Sequence, residues 1–554
     1  MAPAGVPNIV TDKEPAMTPG VAPGPAPAAG STSGSTGRRP IGKAEKRLAK
    51  NVLWSWGGQL VYIISGFILP RAIDHMGGKS VLGVWDFAWS LVTYLYLVEL
   101  GVSSSVNRFV AKHLAEKDFD GLNRSISSVI CIQLVVGTVI MLLSVFLVFL
   151  IPLVAQARLG SSVRDAQWVV FFLGAAMAQG FAFGGFAGVV TGSHRWDLYN
   201  IINAAGQAIG LAGMLLSLSI WHSIRMLGVM YAASGTIQAL GLLIAAHRVC
   251  PSLKVRFRFV DRAAIATMLR FGGKTFMNGL ARSFLYQTTA VFMTAYLGPA
   301  ALAVYNRPLA LVNQLRAMCG KFANTLTPIA SELQAAGRHD SLQDMARRMA
   351  GVGAALSLPP VVFLSVMGGC ILRVWMGAGY ADNLLPVILA VGNLWAIANM
   401  PLQTILIGLD AHGPTALVSV LSSAACAAAC WLLLGVAGVG LHPVSVCVAL
   451  TLLLTDGAYV TFYTCRRIGV SPWKFLRQVW SVPLLCVAPF ALCLLAARLF
   501  LPPLWALACG VAAGAVVLPP TYWRWIFSGE IRAKIRRKLR LVRLFRAPGV
   551  EPLP

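Results

Sequence analysis

Basic side chains lie inside a stretch of the sequence that is otherwise long and apolar enough to cross a membrane. Residues 300–333 contain Arg307, Arg316 and Lys321. A basic side chain near the centre of a bilayer costs about 2.5–3.5 kcal/mol to insert. We therefore expect these cations to face a protein-lined aqueous cavity, in which they would bind an anion such as a phosphate.

Most polar side chains of this stretch fall on one face of a helix. At about 100° per residue, Arg307, Gln314 and Lys321 lie within about 40° of one another, and Asn306 and Asn324 lie about 100° away. These residues are candidates for the wall of the cavity, with the amides contacting sugar or water. Arg316 points to the opposite side of the helix. Its charge makes it a candidate for holding an anionic head, but its direction predicts a structural pairing.

Two other segments carry similar polar faces. Asn278, Arg282 and Tyr286 follow one another at intervals of four residues in the preceding segment, and Gln59 and Tyr62 lie on the polar arc of the first span. Neighbouring helices with polar, basic faces predict the wall of a hydrophilic chamber. The alternative is a set of structural polar contacts between helices, which membrane proteins also use.

Three acidic residues, Asp86, Glu99 and Asp456, fall within candidate spans. An intramembrane carboxylate is a functional candidate for coupling to protons or sodium. For Asp86 we favour an ion pair with Arg71 or Lys79 at the outer rim. Glu99 is equally well explained by a pair with Arg108 or by a role in ending its helix. Asp456 has no partner nearby in the sequence and is the strongest coupling candidate.

The sequence carries no pattern typical of an enzyme. We find no GxxxxGK[ST] phosphate-binding loop and no HExxH zinc motif. None of the 11 cysteines lies in a CxxC or beside histidines at metal-ligand spacing. We expect no catalytic activity, no cofactor and no metal site, and we interpret the cysteines as small core residues.

The composition is typical of a polytopic membrane protein. Of the 554 residues 57% are hydrophobic and only 12% are charged, against about 25% charged residues in soluble domains, and the mean hydropathy is +0.70. We predict an all-α protein with about fourteen transmembrane helices. Most of the 46 Lys and Arg residues fall in alternate connections, which predicts cytoplasmic termini and makes nucleic acid an unnecessary explanation for the net charge of +26.

An internal repeat divides the chain. Residues 78–85 (GKSVLGVW) align with residues 298–305 (GPAALAVY) at an offset of 220. Both copies start on the cytoplasmic side, so the repeat is parallel, with six spans in each half. The sequence therefore predicts five parts: a disordered arm (1–45), a first half (46–250), a second half with its cytoplasmic linker (251–465), two extra C-terminal helices (466–525) and a basic amphipathic cytoplasmic tail (526–554).

The chain resembles the Wzx-type polysaccharide flippases of the multidrug/oligosaccharidyl-lipid/polysaccharide (MOP) exporter superfamily. The resemblance rests on Leu69-Pro70, on Gly83-Val84-Trp85, on the stretch from Glu99 to Lys112, and on Tyr296-Leu297-Gly298 with Tyr305. It implies a MATE-like, V-shaped pair of six-helix halves and transport driven by an ion gradient. The lipid II flippases of the superfamily carry several arginines in the first two spans, whereas this chain has only Arg71 there.

The resemblance implies a function in polysaccharide biosynthesis. The protein would flip a polyprenyl-diphosphate-linked oligosaccharide across the bacterial inner membrane, with membrane lipid and a polysaccharide polymerase or export machinery as further partners. Arg282, Arg307, Arg316 and Lys321 would hold the diphosphate. The alternatives are an ion-coupled efflux antiporter for small molecules, a lipid II flippase, and a membrane scaffold for glycan assembly.

Overall fold

The computed structural model describes residues 43–99, 116–323 and 326–526, together with residues 110, 113, 529, 532 and 533. Within these, the side chains of residues 43–53, 55–56, 99, 263–264 and 266–279 are not described. The chain divides into a short unit, Met1–Ala49, and a body, Lys50–Pro554, and the following paragraphs concern the body. The predicted arm (1–45) and basic tail (526–554) lie almost entirely outside the described residues.

Every regular element in the described part of the chain is helical. The helices of the first half are α1 (Lys43–Tyr94), α2 (Phe119–Leu159), α3 (Val163–Ala182), α4 (Gly184–Gly192), α5 (Trp196–Trp221) and α6 (Ile224–Val249). The second half contains α7 (Arg262–Leu297), α8 (Pro299–Ala323), α9 (Thr327–Ala335), α10 (His339–Trp375), α11 (Leu384–Ala398), α12 (Met400–Gly408), α13 (Gly413–Trp431), α14 (Leu441–Leu452) and α15 (Val460–Ile468). Two π-helical segments, Leu432–Val436 and Leu453–Tyr459, follow α13 and α14, and the chain ends with α16 (Pro472–Phe500) and α17 (Pro503–Trp525).

Ten helical segments of the described chain are long and apolar enough to cross a membrane. Two of them, Gly57–Val98 and Phe119–Ala182, have 42 and 64 residues, which at 1.5 Å per residue is about two bilayer thicknesses or more. The first bends at Gly78 and the second is interrupted by the turn Gly160–Ser162. The polytopic all-α fold is confirmed. The number of fourteen spans stays a prediction, because α7 and α8, with their basic residues, are not among the ten.

The internal repeat is visible in the backbone. Gly78, at the bend of α1, has φ +72°, and Gly298, immediately before α8, has φ +90°. Glycine adopts this left-handed region without the steric penalty that other residues incur. Seven residues later in each copy, the aromatic side chains of Trp85 and Tyr305 are buried. The two motifs therefore share a left-handed glycine and a buried aromatic residue at equivalent positions, as the predicted repeat requires.

The hydrophobic core shows how the two halves meet. One large cluster contains buried residues of both halves, among them Phe87, Met293 and Tyr305. Two further clusters are separate: one takes its buried residues from 110–253 and the other from 330–479. The shared cluster lies at the end that the basic residues predict to be extracellular. The halves therefore form a V that shares one core at its predicted outer end and has a separate core in each half at the other end.

Polar contacts hold the outer end of the V together. The Tyr380 hydroxyl donates a hydrogen bond of 2.6 Å to Asp74, and the indole N–H of Trp375 donates one of 2.8 Å to the carbonyl of Phe67. The ammonium of Lys79 lies 4.9 Å from the centroid of the Tyr380 ring. Each contact joins the first half to the second half, so this end is closed.

The two additional C-terminal helices pack against α10 of the second half. Phe490 and Leu494 of α16 form a buried cluster with Met367 of α10. The Tyr522 hydroxyl of α17 donates a hydrogen bond of 2.6 Å to the carbonyl of Ala355. The candidate span in α17 is only 11% buried. These helices therefore lie on the outside of the second half, away from the interface between the halves.

We predict that Gly83→Ala destabilises the joint between the halves. A Cβ atom at Gly83 would lie 1.8 Å from the carbonyl oxygen of Pro299, which is backbone and has little room to move. Overpacking of this kind typically costs about 1–3 kcal/mol, so the apparent melting temperature of the purified protein should fall. The matched control is Gly57→Ala in the same helix, where a Cβ meets nothing within 4 Å. Equal melting temperatures for the two variants would contradict this prediction.

Candidate functional site

A buried ion pair joins the two halves close to their shared core. It is formed by Asp86 of α1 and Arg307 of α8. Nη2 of Arg307 lies 2.5 Å from Oδ2 of Asp86, and the two side chains are only 5% and 10% exposed. Burying two charges costs several kcal/mol per ion unless they are paired and well placed. The position of α1 relative to α8 is therefore tied to this contact.

The expected rim partners of Asp86 are bound elsewhere. Arg71 lies 4.0 Å from Asp74 and donates a hydrogen bond to the carbonyl of Met376. Lys79 donates to the carbonyl of Gly379. The interpretation of Asp86 as half of a rim ion pair was wrong, because it relied on proximity in the sequence and overlooked the second copy of the repeat.

A second ion pair lies within the second half. Nη2 of Arg316 is 3.8 Å from Oδ2 of Asp456, with side chains 8% and 15% exposed. Nε and Nη1 of Arg316 are buried and have no hydrogen-bond partner within the described structure. Asp456 thus has a partner that its local sequence did not reveal, and Arg316 has the pairing that its direction on the helix predicts.

The segment that carries Asp456 departs from α-helical geometry, and a side chain from another part of the chain is hydrogen-bonded to its backbone. Asp456 belongs to the π-helical stretch Leu453–Tyr459, and such π-helical turns occur frequently at functional sites. The buried Asn399 amide donates hydrogen bonds of 3.0 Å and 2.9 Å to the carbonyls of Asp456 and Gly457. One amide therefore fixes the local backbone that positions this carboxylate.

Arg282 of α7 differs from the other two arginines. Its side chain is exposed, and it forms no ion pair with any carboxylate that the structure describes. It lines two cavities at once, the one that contains Asp86 and Arg307 and the one that contains Asp456. Arg282 is thus a cation with an open side that an anionic ligand can approach.

Three neighbouring cavities share lining residues. The central cavity, of about 450 Å³, lies at the joint and includes Asp86, Arg282, Asn306 and Arg307. The second-half cavity, of about 330 Å³, lies among α7, α12, α13 and α14 and includes Arg282 and Asp456. The first-half cavity, of about 450 Å³, is lined by residues from 89 to 242. Arg282 connects the central and second-half cavities, and Trp89 connects the central and first-half cavities.

The remaining predicted cavity residues are distributed around this system. Lys321 donates a hydrogen bond of 3.1 Å to Oε1 of Gln59, which links α8 to α1. Asn306 lines the central cavity. Gln314 is half-buried, and its amide nitrogen has no partner within the described structure. Tyr62 is exposed on α1, near the aromatic side chains of the first-half cavity.

Three of the predicted residues cannot be placed. Asn324 lies outside the described residues, and the side chains of Asn278 and Glu99 are not among those described. Their roles stay predictions.

The sequence analysis missed the first-half cavity. Its aromatic residues are contributed by five separate elements, so no single helical face shows them. A local signal did exist in residues 180–188, GFAFGGFAG, where glycines alternate with phenylalanines. Glycines beside aromatic residues leave ring surfaces uncovered, and this pattern could have indicated a binding surface.

Three cysteines come together, contrary to the picture of scattered thiols. The sulfur atoms of Cys426, Cys430 and Cys447 all lie within 4.8 Å of one another. Cys426 and Cys430 are one helical turn apart in α13, and Cys447 belongs to α14. All three pack in the shared hydrophobic cluster or directly against it, which agrees with their interpretation as small core residues.

The charges of the site favour an anion. Each of the two buried arginines is balanced by a carboxylate, whereas Arg282 adds a positive charge that the described carboxylates do not neutralise. An arginine offers a planar fork of donors that suits phosphate and carboxylate groups. The arrangement can bind an anionic group between the central and second-half cavities.

The fold is that of the MOP superfamily. The chain is similar to an inward-facing multidrug resistance MATE family transporter of that superfamily, with TM-score 0.63, 13% identity, and coverage of 77% of this chain and 98% of the other. It is also similar to the lipid II flippase MurJ in an inward closed conformation, with TM-score 0.63, 10% identity, and coverage of 88% and 99%. At these identities the likeness concerns the fold alone.

Two relatives extend the comparison to sequence. The uncharacterized membrane protein EpsK of Bacillus subtilis (strain 168) is 21% identical over 432 residues, which cover 76% of this chain and 83% of EpsK. A putative O-antigen export protein of Yersinia pseudotuberculosis is 22% identical over 334 residues, which cover 56% and 71%. The family model described as "Polysaccharide biosynthesis protein" matches residues 91–384, more than half of the chain. The protein therefore belongs to this polysaccharide biosynthesis family, and its resemblance to the Wzx-type flippases is confirmed.

Proposed function

We propose that this protein flips a polyprenyl-diphosphate-linked oligosaccharide across the bacterial inner membrane during the synthesis of a surface or exported polysaccharide. Membership of the polysaccharide biosynthesis family supports this proposal, as does a system of cavities inside a membrane-spanning fold. The glycan head would travel through the cavities while the polyprenyl tail stays in the lipid. The chain acts as a transporter and performs no chemical conversion of its cargo.

The observation that carries the proposal is the position of Arg282. It is the exposed cation at the junction of two cavities, and the described carboxylates leave it without an ion pair. A diphosphate at the junction would accept charge-assisted hydrogen bonds from its guanidinium. Arg307 and Arg316 support the same site indirectly, because they fix α8 against α1 and against the segment of Asp456. Lys321 adds a further positive charge on α8.

The same contacts suggest how access alternates. The V is closed at the outer end by contacts such as the one between Asp74 and Tyr380, and outward opening would break them. Such rocking of two repeats around a fixed site is common among transporters with this symmetry. We propose Asp456 as the coupling carboxylate, because its 3.8 Å contact with Arg316 is longer than a hydrogen bond and leaves room for a proton or cation. Asp86, at 2.5 Å from Arg307, is engaged more firmly.

The lipid II alternative is less well supported. Arg71, the arginine of the first two spans, is directed to Met376 and Asp74 at the outer rim instead of into a cavity. Efflux of small cations is disfavoured because Arg282 would repel them.

The test is a lipid extraction from a strain that lacks the protein, followed by mass spectrometry. We expect accumulation of a polyprenyl-diphosphate oligosaccharide and loss of the corresponding polysaccharide. Accumulation of the peptidoglycan precursor would instead support the lipid II alternative, and an unchanged lipid pool with intact polysaccharide would refute flipping.

We predict that Arg282→Ala blocks transport without loss of folded protein. Losing charge-assisted hydrogen bonds to the diphosphate should lower the rate of polysaccharide export by about 10–100-fold. The melting temperature should hold, because Arg282 is exposed and forms no ion pair with a described carboxylate. Arg282→Lys keeps the charge but loses the planar fork, so an intermediate rate is expected.

The matched control is Arg373→Ala, which removes an exposed cation at the end of α10. Complementation of the deletion strain gives the export rate, and immunoblotting of membranes gives the protein level. If Arg282→Ala and Arg373→Ala export equally well, Arg282 does not bind the cargo.

We predict the opposite pattern for the two paired arginines. Arg307→Ala leaves the buried Asp86 carboxylate without its partner, and breaking a buried pair typically costs about 3–5 kcal/mol. Arg316→Ala leaves the half-buried Asp456 without its partner, so a smaller loss is expected. Both variants should melt at lower temperature and reach lower levels in the membrane.

A double variant separates charge from packing. Asp86→Asn combined with Arg307→Gln removes both charges and keeps hydrogen-bonding side chains, so it should be more stable than Arg307→Ala alone. If the double variant were as unstable as Arg307→Ala, the prediction that the ion pair has a structural role would be contradicted.

A further inference from the structure

The first-half cavity is aromatic and carries no charge on any described residue that lines it. Its rings come from α1, the short helical turn Leu95–Glu99, α3 and the residue that follows it, α5 and α6. The aromatic lining residues are Trp89, Tyr96, Phe181, Phe183, Trp196, Tyr199 and Tyr231. A volume of about 450 Å³ lies within the usual range of ligand pockets, about 300–1,000 Å³. The cavity is therefore large enough for a ligand and differs in chemistry from the two cavities that Arg282 lines.

The rings are arranged edge to face. Trp89 and Tyr231 have centroids 5.2 Å apart and an interplanar angle of 83°, and Trp196 and Tyr199 are 5.9 Å apart at 80°. In such a pair, the ring that presents its edge keeps its own faces free of its partner. Ring surfaces are thus available to a ligand in the cavity.

One of the glycines that line the cavity, Gly180, leaves free space beside its backbone. Gly180, Gly184, Gly188 and Gly235 all line the cavity. A Cβ atom built at Gly180 meets nothing within 4 Å, although the residue lies inside α3. A larger side chain at position 180 would therefore extend into free space beside the cavity.

Neutral polar groups complete the lining. Asn203, Gln238 and Ser234 belong to it, and the Asn203 amide is oriented by a hydrogen bond of 2.8 Å to the carbonyl of Tyr199. Amides and hydroxyls both donate and accept hydrogen bonds. An apolar tail would leave the remaining hydrogen-bonding capacity of these groups unused, and a diphosphate would find no cation. Sugar rings satisfy both features, because their C–H faces stack on aromatic rings and their hydroxyls bond to amides.

We propose that the first-half cavity binds the uncharged sugar residues of the cargo, while Arg282 holds the diphosphate. This inference rests on the proposed function and adds to it the class of sugar that the protein accepts. The two sites are continuous, because Trp89 lines both the first-half cavity and the central cavity. One amphipathic head therefore spans two chemically distinct sites, anion-binding on one side and aromatic on the other.

The test uses the full-length protein in lipid nanodiscs and two separate probes. One probe is inorganic pyrophosphate. The other is the free oligosaccharide released by mild acid from the lipid that accumulates in the deletion strain. Titration calorimetry gives the affinity of each probe. For the wild type we expect binding of both probes.

The principal variant is Gly180→Leu, whose side chain would fill the first-half cavity. We expect its affinity for the oligosaccharide to fall about tenfold or more, as when a central aromatic contact is lost, and its affinity for pyrophosphate to remain. The matched control is Gly351→Leu in α10, where a Cβ likewise meets nothing within 4 Å and which lines none of the three cavities. Arg282→Ala should show the reverse selectivity.

A second variant protects the test against misfolding. Trp196 is 41% exposed, so Trp196→Ala removes a cavity ring with little loss of core packing, and it should weaken oligosaccharide binding in the same way. Unchanged oligosaccharide affinity in both variants would overturn the inference and leave the proposed function intact. Charged sugars next to the diphosphate, found by mass spectrometry, would also overturn it. Absence of any accumulated lipid-linked oligosaccharide would instead refute the proposed function.

Discussion

The rest of the structure depends on the ion pair between Asp86 and Arg307. It is buried, short, and made by one residue from each half. Two charges in such surroundings are tolerable only while they stay together, because separating them would leave each ion without water or a partner. The pair lies beside the cluster that both halves share, at the point where Gly83 lets α1 approach the start of α8. A motion that opens the closed end and closes the other end must therefore rotate the halves about this ion pair or replace its contacts.

This constraint separates two roles that look alike in the sequence. Arg307 and Arg316 are held by carboxylates, and their loss would weaken the framework around the cavities. Arg282 has no such partner in the described structure and is exposed to two cavities. A count of intramembrane cations would assign all three to the cargo. Their different surroundings indicate a structural role for Arg307 and Arg316 and leave Arg282 as the residue that is available to bind the ligand.

The sequence predicts the fold well, and it predicts the site only where the relevant contacts are periodic. Span composition and the alternation of basic connections indicate the all-α architecture, and the 220-residue offset identifies the repeat that Gly78 and Gly298 display in their backbone. Helical spacing also separates Arg316 from Arg307. It could not pair Arg316 with Asp456, because Asp456 is far away in the sequence and only the fold brings the two side chains together. For Asp86 the nearby Arg71 and Lys79 offered a simple and wrong explanation, because its partner Arg307 is distant in the sequence.

The two halves share a backbone plan and differ in chemistry. Where the second half has Arg307, the equivalent position of the first half is Phe87, a buried core residue. The arginine that faces two cavities belongs to the second half, and the uncharged aromatic cavity belongs to the first. A symmetric cargo would need no such difference. A cargo with an anionic group next to a neutral polar group would need two cavities of different chemistry. The difference between the two halves therefore supports the proposal of a diphosphate-linked sugar over a ligand that is charged or neutral throughout.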